Sequence, residues 1–369
     1  HSVRSEIDDN QMARISFILS GKALNRNAGS LAEILVATLD QARFDELERL
    51  KELVSQLRAH QESSITGHGH SLAMVAASAG LSPSAALAHR WDGLEAIRQL
   101  KRLDDALSSE DALRSFAASL SKIRAILASA PRELLLVGET EQLDGLQQSF
   151  FDQFESRSGL ATDASLRLLE PHTEARQIQQ GWLTSTQVNF CSRAYAAVPA
   201  DHRDAPAFTV LGGYLRNSFL HTAIREQGGA YGGGASYDSD AGAFRFYSYR
   251  DPRLEDTLSD FDASLAWLLE DNEDHEPRLL EEAILGVISA LDRPRSPAGE
   301  AIAAFYSERN GRTPEQRRRF RKAVLGVTLE DMRRVVRDYL KPELANTAVI
   351  SDPGKKSDIA SIGLQEEHV

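Results

Sequence analysis

Two consecutive glycines, Gly228-Gly229, interrupt an amphipathic run and are followed at once by Tyr231 and three further glycines. From Ala205 to Gln227 the residues Phe208, Leu211, Leu215 and Phe219 recur at helical spacing, so this stretch predicts a helix with one buried stripe. Glycine takes the left-handed cap conformation at no steric cost, so the helix ends at the pair. Tyr231 to Tyr237 and Ala243 to Arg250 then predict a hairpin around Asp238-Ser-Asp-Ala-Gly242. A helix that turns within a few residues into an antiparallel pair constrains the chain to an α+β architecture, with helices packed on a sheet.

The rest of the chain extends that pattern. At about one domain per 150 residues, 369 residues predict two packed domains. In the first half, Arg14 to Leu19 reads as a strand, and Ser30-Leu-Ala-Glu33 as a capping box opening a helix to about Gln41. A long helix from about Asp45 to Ser63 carries Leu47, Leu50, Leu53, Val54 and Leu57 on one stripe. Ser82-Pro83 and Asp92-Gly-Leu-Glu95 predict two further helix starts, and a helix follows from about Asp111 to Leu127. Leu134 to Val137 is a short apolar strand, followed by a helix to about Ser156. In the second half a strand from about Gln187 to Ala197 precedes the Ala205 helix. Asp251-Pro252 and Thr313-Pro314 cap later helices, and Thr347 to Ile350 is a last strand.

Between about Arg157 and Thr184 the patterning weakens, which places a domain boundary there. The expected division is a first domain over 1–160, a linker over 161–184 and a second domain over 185–369. A weak internal repeat relates the two: the strand at Ile15 corresponds to that at Phe244, and the strand at Leu134 to that at Thr347. On this mapping the first copy lacks the opening part of its fold. The chain begins at His1 rather than methionine, which also suggests a processed or truncated product.

Charge and motifs narrow the chemistry. Against 42 basic residues stand 54 acidic ones, a formal charge of −12, which disfavours general binding to nucleic acid or to anionic membrane. The one basic run, Arg317 to Lys322, lies on a predicted helix and spreads its charge around the cylinder. No apolar run approaches the roughly 18 to 20 residues of a membrane span, and no signal or transit segment opens the sequence. A single cysteine, Cys191, cannot form an internal disulfide, which fits a reducing compartment. The chain has no His-Glu-x-x-His and no inverted His-x-x-Glu-His. His275-Glu276 is followed by Pro277, which would break the helix such a motif needs, and His68 and His70 have no third ligand nearby. Gly21-Lys22 and Gly354-Lys355 lack the spacing of a phosphate loop. The glycines from Gly228 to Gly234 follow a helix, where a dinucleotide site would follow a strand.

The segment Leu220 to Pro252 has the most unusual composition. Arg225 lies in the last turn of its helix and Tyr231 opens the hairpin six residues on, so a guanidinium and a phenol can face the same side of a sheet edge. Such a pair can donate hydrogen bonds to peptide carbonyls or to a developing oxyanion. A second reading needs no ligand: Arg225 complements the negative end of its helix, Tyr231 is a sheet aromatic and the glycines are a cap.

Arg225-Glu-Gln-Gly-Gly-Ala-Tyr231-Gly and Phe246-Tyr-Ser-Tyr-Arg-Asp-Pro252 resemble the C-terminal half of the presequence-protease branch of the insulinase/pitrilysin zinc metallopeptidases. The likeness extends through Ser20-Gly-Lys-Ala-Leu-Asn-Arg-Asn27 and Val327-Thr-Leu-Glu-Asp-Met332 and covers most of the chain. It implies two related insulinase-type domains here, each an antiparallel-rich mixed sheet packed with several helices. They would be the third, truncated at its start, and the fourth of an enzyme whose halves close around a chamber. In that family an inverted His-x-x-Glu-His in the N-terminal half holds zinc, and its glutamate is the general base. By the same resemblance Arg225 and Tyr231 bind the substrate backbone and stabilise the tetrahedral intermediate, and Gly228 and Gly229 belong to the substrate-binding segment.

No metal ligands are expected in this chain, so alone it is expected to hold no catalytic zinc and to cleave nothing. The implied partners are unstructured peptides, such as cleaved targeting sequences, and the N-terminal half of the same polypeptide; nucleic acid and membrane are not among them. The alternative is a non-catalytic member of the same fold, serving as a peptide-binding or structural subunit. Richness in alanine and arginine fits a GC-rich bacterial gene and a cytoplasmic protein. A eukaryotic one would be expected in the mitochondrial matrix or a plastid.

Overall fold

The computed structural model describes residues 1–155, 177–270 and 277–369. The linker reading up to residue 176 and the His275-Glu276 pair lie outside the described residues.

Thirteen α-helices occur among the described residues. Six precede the main sheet: α1 (Ala28–Asp40), α2 (Leu47–Ser78), α3 (Pro83–Asp92), α4 (Leu94–Ala106), α5 (Glu110–Ser129) and α6 (Leu143–Glu155). Seven follow its first strands: α7 (Ala205–Leu215), α8 (Glu255–Leu269), α9 (Pro277–Leu291), α10 (Pro297–Arg309), α11 (Pro314–Leu325), α12 (Leu329–Tyr339) and α13 (Lys356–Ser361). Strands β1 (Ser2–Ser5) and β2 (Ala13–Ser16) form a separate antiparallel pair. The main sheet comprises β3 (Gln179–Leu183), β4 (Phe190–Ala196), β5 (Gly232–Asp238), β6 (Ala243–Tyr249), β7 (Asn346–Ser351) and β8 (Gln365–His368), in the order β5-β6-β4-β7-β3-β8. The β5–β6, β6–β4 and β4–β7 pairs are antiparallel, whereas β7–β3 and β3–β8 are parallel. This is the antiparallel-rich mixed sheet with packed helices that the sequence suggests.

Alternation along the strands gives the sheet two buried faces. Cys191 and Tyr195 of β4, Phe244 and Phe246 of β6 and Val349 of β7 join one core with Phe208, Leu211 and Leu215 of α7, Phe261 of α8 and Met332 and Val335 of α12. Phe190 and Ala194, with Ala348 and Ile350, point the other way and pack with Ile65, Leu72, Ala73 and Ala76 of α2 and Ile97 of α4. The long helix of the first half therefore covers one face of the second half's sheet. That contact explains why α2 runs past Ser63 to Ser78: a Cβ at Gly69 would collide with the Phe190 ring, so glycine here lets helix and sheet approach closely.

Other expectations are corrected. Ser30 lies inside α1, whose N-cap is Asn27, because a short 3₁₀ turn over Asn25–Asn27 starts the helix earlier. Asp92 ends α3, and the N-cap of α4 is Gly93. Leu134–Val137 carries no strand: Leu134 and Val137 are each 41% exposed, and an apolar run this short does not fix its own state without a partner. The expected correspondence between Leu134 and Thr347 therefore has no strand on one side. Strand β3 falls within the stretch read as linker and sits between β7 and β8. In the basic run, Arg319 pairs with Asp201 and Arg321 with Asp292, so those two charges are met by carboxylates.

Ser82 is the N-cap foreseen for α3. Its hydroxyl oxygen accepts from Ala85 N at 3.2 Å, and the hydroxyl donates to Ala241 O at 2.8 Å, tying the helix start to the β5–β6 turn. Ser82→Ala is expected to cost about 1–2 kcal/mol through the lost cap, read as a lower urea midpoint at unchanged slope.

Candidate functional site

The Ala205 helix does not stay α-helical to its end. After Leu215 it continues from Arg216 to Gln227 as a π-helix, a form that is rare and often found at functional sites. Its end is a Schellman turn: Gly229, at φ +78°, donates to Arg225 O at 3.2 Å, and Ala230 N donates to Ile224 O at 3.1 Å. Ala230 and Ile224 are both buried in the same core, the apolar contact this motif usually brings. The next backbone link is to β6, since Tyr231 N is shared between Tyr249 O at 3.1 Å and Arg250 O at 3.4 Å. Arg225 and Tyr231 thus stand on the two arms of one closed bend.

Both side chains reach solvent. Arg225 is exposed, and Tyr231 is 70% exposed. The Tyr231 ring is set edge-on against Tyr249, with centroids 5.7 Å apart and planes at 81°. This leaves the phenol at the start of the edge strand β5, directly before Gly232–Gly234. A Cβ at Gly232 would meet nothing within 4 Å, so the backbone there is open to approach. The two glycines of the bend differ: Gly229 is exposed, whereas Gly228 is buried and a Cβ on it would overlap the Arg253 guanidinium.

Several neighbours were not singled out as site residues from sequence. Tyr247 and Tyr249 project on the α2 side of the sheet, where His70 packs on both, at centroid distances of 5.6 and 4.8 Å. Burial, with a smaller effect from the charge of His68, lowers the His70 pKa. His70 is half-buried against tyrosine rings while His68 is exposed. Among the described residues no group of three or more His, Cys, Asp or Glu side chains is placed to hold a metal ion. The residues present do not fit a catalytic zinc.

Arg250 is the one non-glycine residue at positive φ among those described, at +50°, with its guanidinium 5.4 Å from the centre of the Tyr249 ring. Asp251, fully buried, bridges to Asn189 in both directions, at 2.8 and 2.9 Å. Its carboxylate accepts from Arg253 N at 2.9 Å and from Thr257 Oγ1 at 2.7 Å. The N-cap of α8 is Leu254, so Asp251 organises the approach to that helix from three residues upstream. Cys191 lies buried nearby. Burial, and then the charge of Asp251, push its thiol far above the usual range, so it is not a nucleophile. The signal for this second cluster was Tyr249-Arg-Asp-Pro252, which the sequence pattern alone presents as a hairpin end and a helix cap.

Comparison with known proteins adds to this geometry. The family model for the region associated with subfamily C of the insulinase-type peptidases matches residues 1–103, and that described as PreP C-terminal domain matches residues 180–350. The mitochondrial presequence protease of Yarrowia lipolytica is 31% identical over 351 residues, which cover 93% of this chain and 34% of that protein. The chain spans about a third of the length of the curated relatives it matches. Among solved structures, a conserved protein from Enterococcus faecalis superposes with a TM-score of 0.59 at 16% identity, over 91% of this chain and 76% of its own. Pitrilysin superposes with a TM-score of 0.55 at 12% identity, over 93% and 36%. The two structural likenesses establish a shared fold.

Proposed function

The chain belongs to the presequence-protease branch of the insulinase family, as a C-terminal-half member, and on that footing we propose that it is the substrate-binding half of a zinc metalloendopeptidase that degrades unstructured peptides in a closed chamber. Residues 1–160 and 185–369 are then its third and fourth domains, with β3 added to the fourth. The observation that carries the reading is the single bend that presents Arg225 and Tyr231 to solvent beside an open edge strand.

In this role the Arg225 guanidinium donates to a carbonyl of the bound peptide and holds the backbone in register. The Tyr231 hydroxyl donates to the oxygen that gains charge as the scissile carbonyl becomes tetrahedral. Gly229 and the following glycines let the peptide approach the bend, while Gly228 keeps the bend's shape. Zinc, bound by the other half of the polypeptide, supplies an activated water. Soluble peptides released inside a cell, in the bacterial cytoplasm or in the mitochondrial matrix, are the expected substrates.

The test uses the whole protein that contains this chain and an internally quenched, unstructured peptide. Hydrolysis is expected, to be abolished by a chelator and restored by zinc, while residues 1–369 alone cleave nothing. Whole protein that binds the peptide without ever cleaving it would select the non-catalytic subunit instead.

A further inference from the structure

We propose that Arg253 is a positioning residue, locking the bend so that Arg225 and Tyr231 face the same substrate; the inference rests on the roles proposed above. The Arg253 guanidinium donates from Nη2 to Ala223 O at 3.2 Å, two residues before Arg225, and to Asp260 Oδ2 at 2.9 Å. It also lies over Gly228, whose missing side chain is the room it occupies. One side chain therefore touches the arm that carries Arg225 and the glycine that follows it.

The other end of Arg253 is anchored in the sheet. Its backbone N donates to Asp251 Oδ1 at 2.9 Å, and its carbonyl accepts from Asn189 Nδ2 at 3.0 Å. Asn189 is in turn paired with Asp251 through both backbones and accepts from Ser351 Oγ at 2.6 Å, at the end of β7. Between Tyr249 and Asp251 the chain passes through Arg250 in a left-handed conformation unfavourable for an L residue. Because Tyr231 N bonds to the carbonyls of Tyr249 and Arg250, this kink sets where Tyr231 begins. Residues 250–253 thus hold the Tyr231 arm through the kink and the Arg225 arm through the guanidinium. Arginine suits the task because its planar fork can serve a carbonyl and a carboxylate together, which the point charge of lysine does less well.

Arg253→Met in the whole protein is expected to lower kcat for the quenched peptide about tenfold with KM within about twofold, since misplacing a catalytic donor by a fraction of an ångström costs turnover more than binding. Arg253→Lys should recover part of the loss. In a Tyr231→Phe background the same substitution should cost less than about twofold, because one of the groups it positions is already silent. An activity-independent reading accompanies these: trypsin cleavage after Arg225 in the native protein should accelerate about tenfold in Arg253→Met, as the bend opens locally. Unchanged cleavage at Arg225, or a full multiplicative loss of kcat in the Tyr231→Phe background, overturns the positioning role. If Tyr231→Phe alone leaves turnover intact while cleavage at Arg225 still accelerates, the lock stands and the catalytic reading of Tyr231 fails. Should Arg253→Met not fold, Asp260→Asn releases the guanidinium while keeping it, and the same two readouts decide.

Discussion

Tyr231→Phe in the whole protein is expected to lower kcat for peptide hydrolysis by about 10² to 10³, the usual loss when one oxyanion donor is removed. The substitution isolates the donor because the ring position does not depend on the hydroxyl: it is set by the edge-on contact with Tyr249 and by the backbone bonds of Tyr231 N. Phenylalanine keeps both. KM should change little, since a donor aimed at the developing charge contributes mainly in the transition state. Arg225→Ala should behave differently, raising KM as well as lowering kcat, because a guanidinium that holds a substrate carbonyl already acts in the ground state. Steady-state kinetics on the quenched peptide separate the two patterns. Turnover of Tyr231→Phe within about twofold of the parent would remove the residue from the chemistry and leave the bend a purely architectural feature.

The part of the site that could be read from sequence was the part written in local rules. Glycine after an amphipathic run announces a left-handed cap, and Gly229 has that conformation; hydrophobic alternation announces a hairpin, and β5 and β6 pair in the expected segment. What could not be read depends on contacts far apart in the chain. His70 resembled half of a metal clip, but its partners are two tyrosines on a strand in the other half of the chain. Gly69 lies past the end that periodicity alone assigns to its helix, and it is the place where that helix touches Phe190. Arg253 carries no signal of its own, since its meaning arises only when Ala223 and Gly228 are brought beside it. The same limit explains the missing strand at Leu134: an apolar run announces burial or pairing, and only its neighbours decide whether either occurs.

Asp251→Ala is expected to be the most destabilising of the side-chain truncations near the site, at about 3–5 kcal/mol. Its carboxylate is fully buried and satisfies Arg253 N and the Thr257 hydroxyl, and each donor stranded without water costs about 1–3 kcal/mol. The left-handed Arg250 next to it adds stored strain that the Asn189–Asp251 bridge must hold. Asp251→Asn should behave quite differently. Its amide oxygen can accept from Arg253 N, and its amide nitrogen can donate to Thr257 Oγ1, so both partners remain paired. Burial raises the Asp251 pKa, against the opposing pull of its hydrogen bonds and of the Arg253 charge. A carboxylate whose folded value lies above the unfolded value of about 3.9 contributes most below that pH, and its contribution falls as pH rises through the folded value. The asparagine variant has no such titration, so its stability relative to the parent should improve between about pH 4 and pH 7. Urea unfolding across that range checks both statements: an alanine variant within about 1 kcal/mol of the parent, or an asparagine variant that loses ground as pH rises, would show that the buried carboxylate does not hold the loop that carries Arg250 and Arg253.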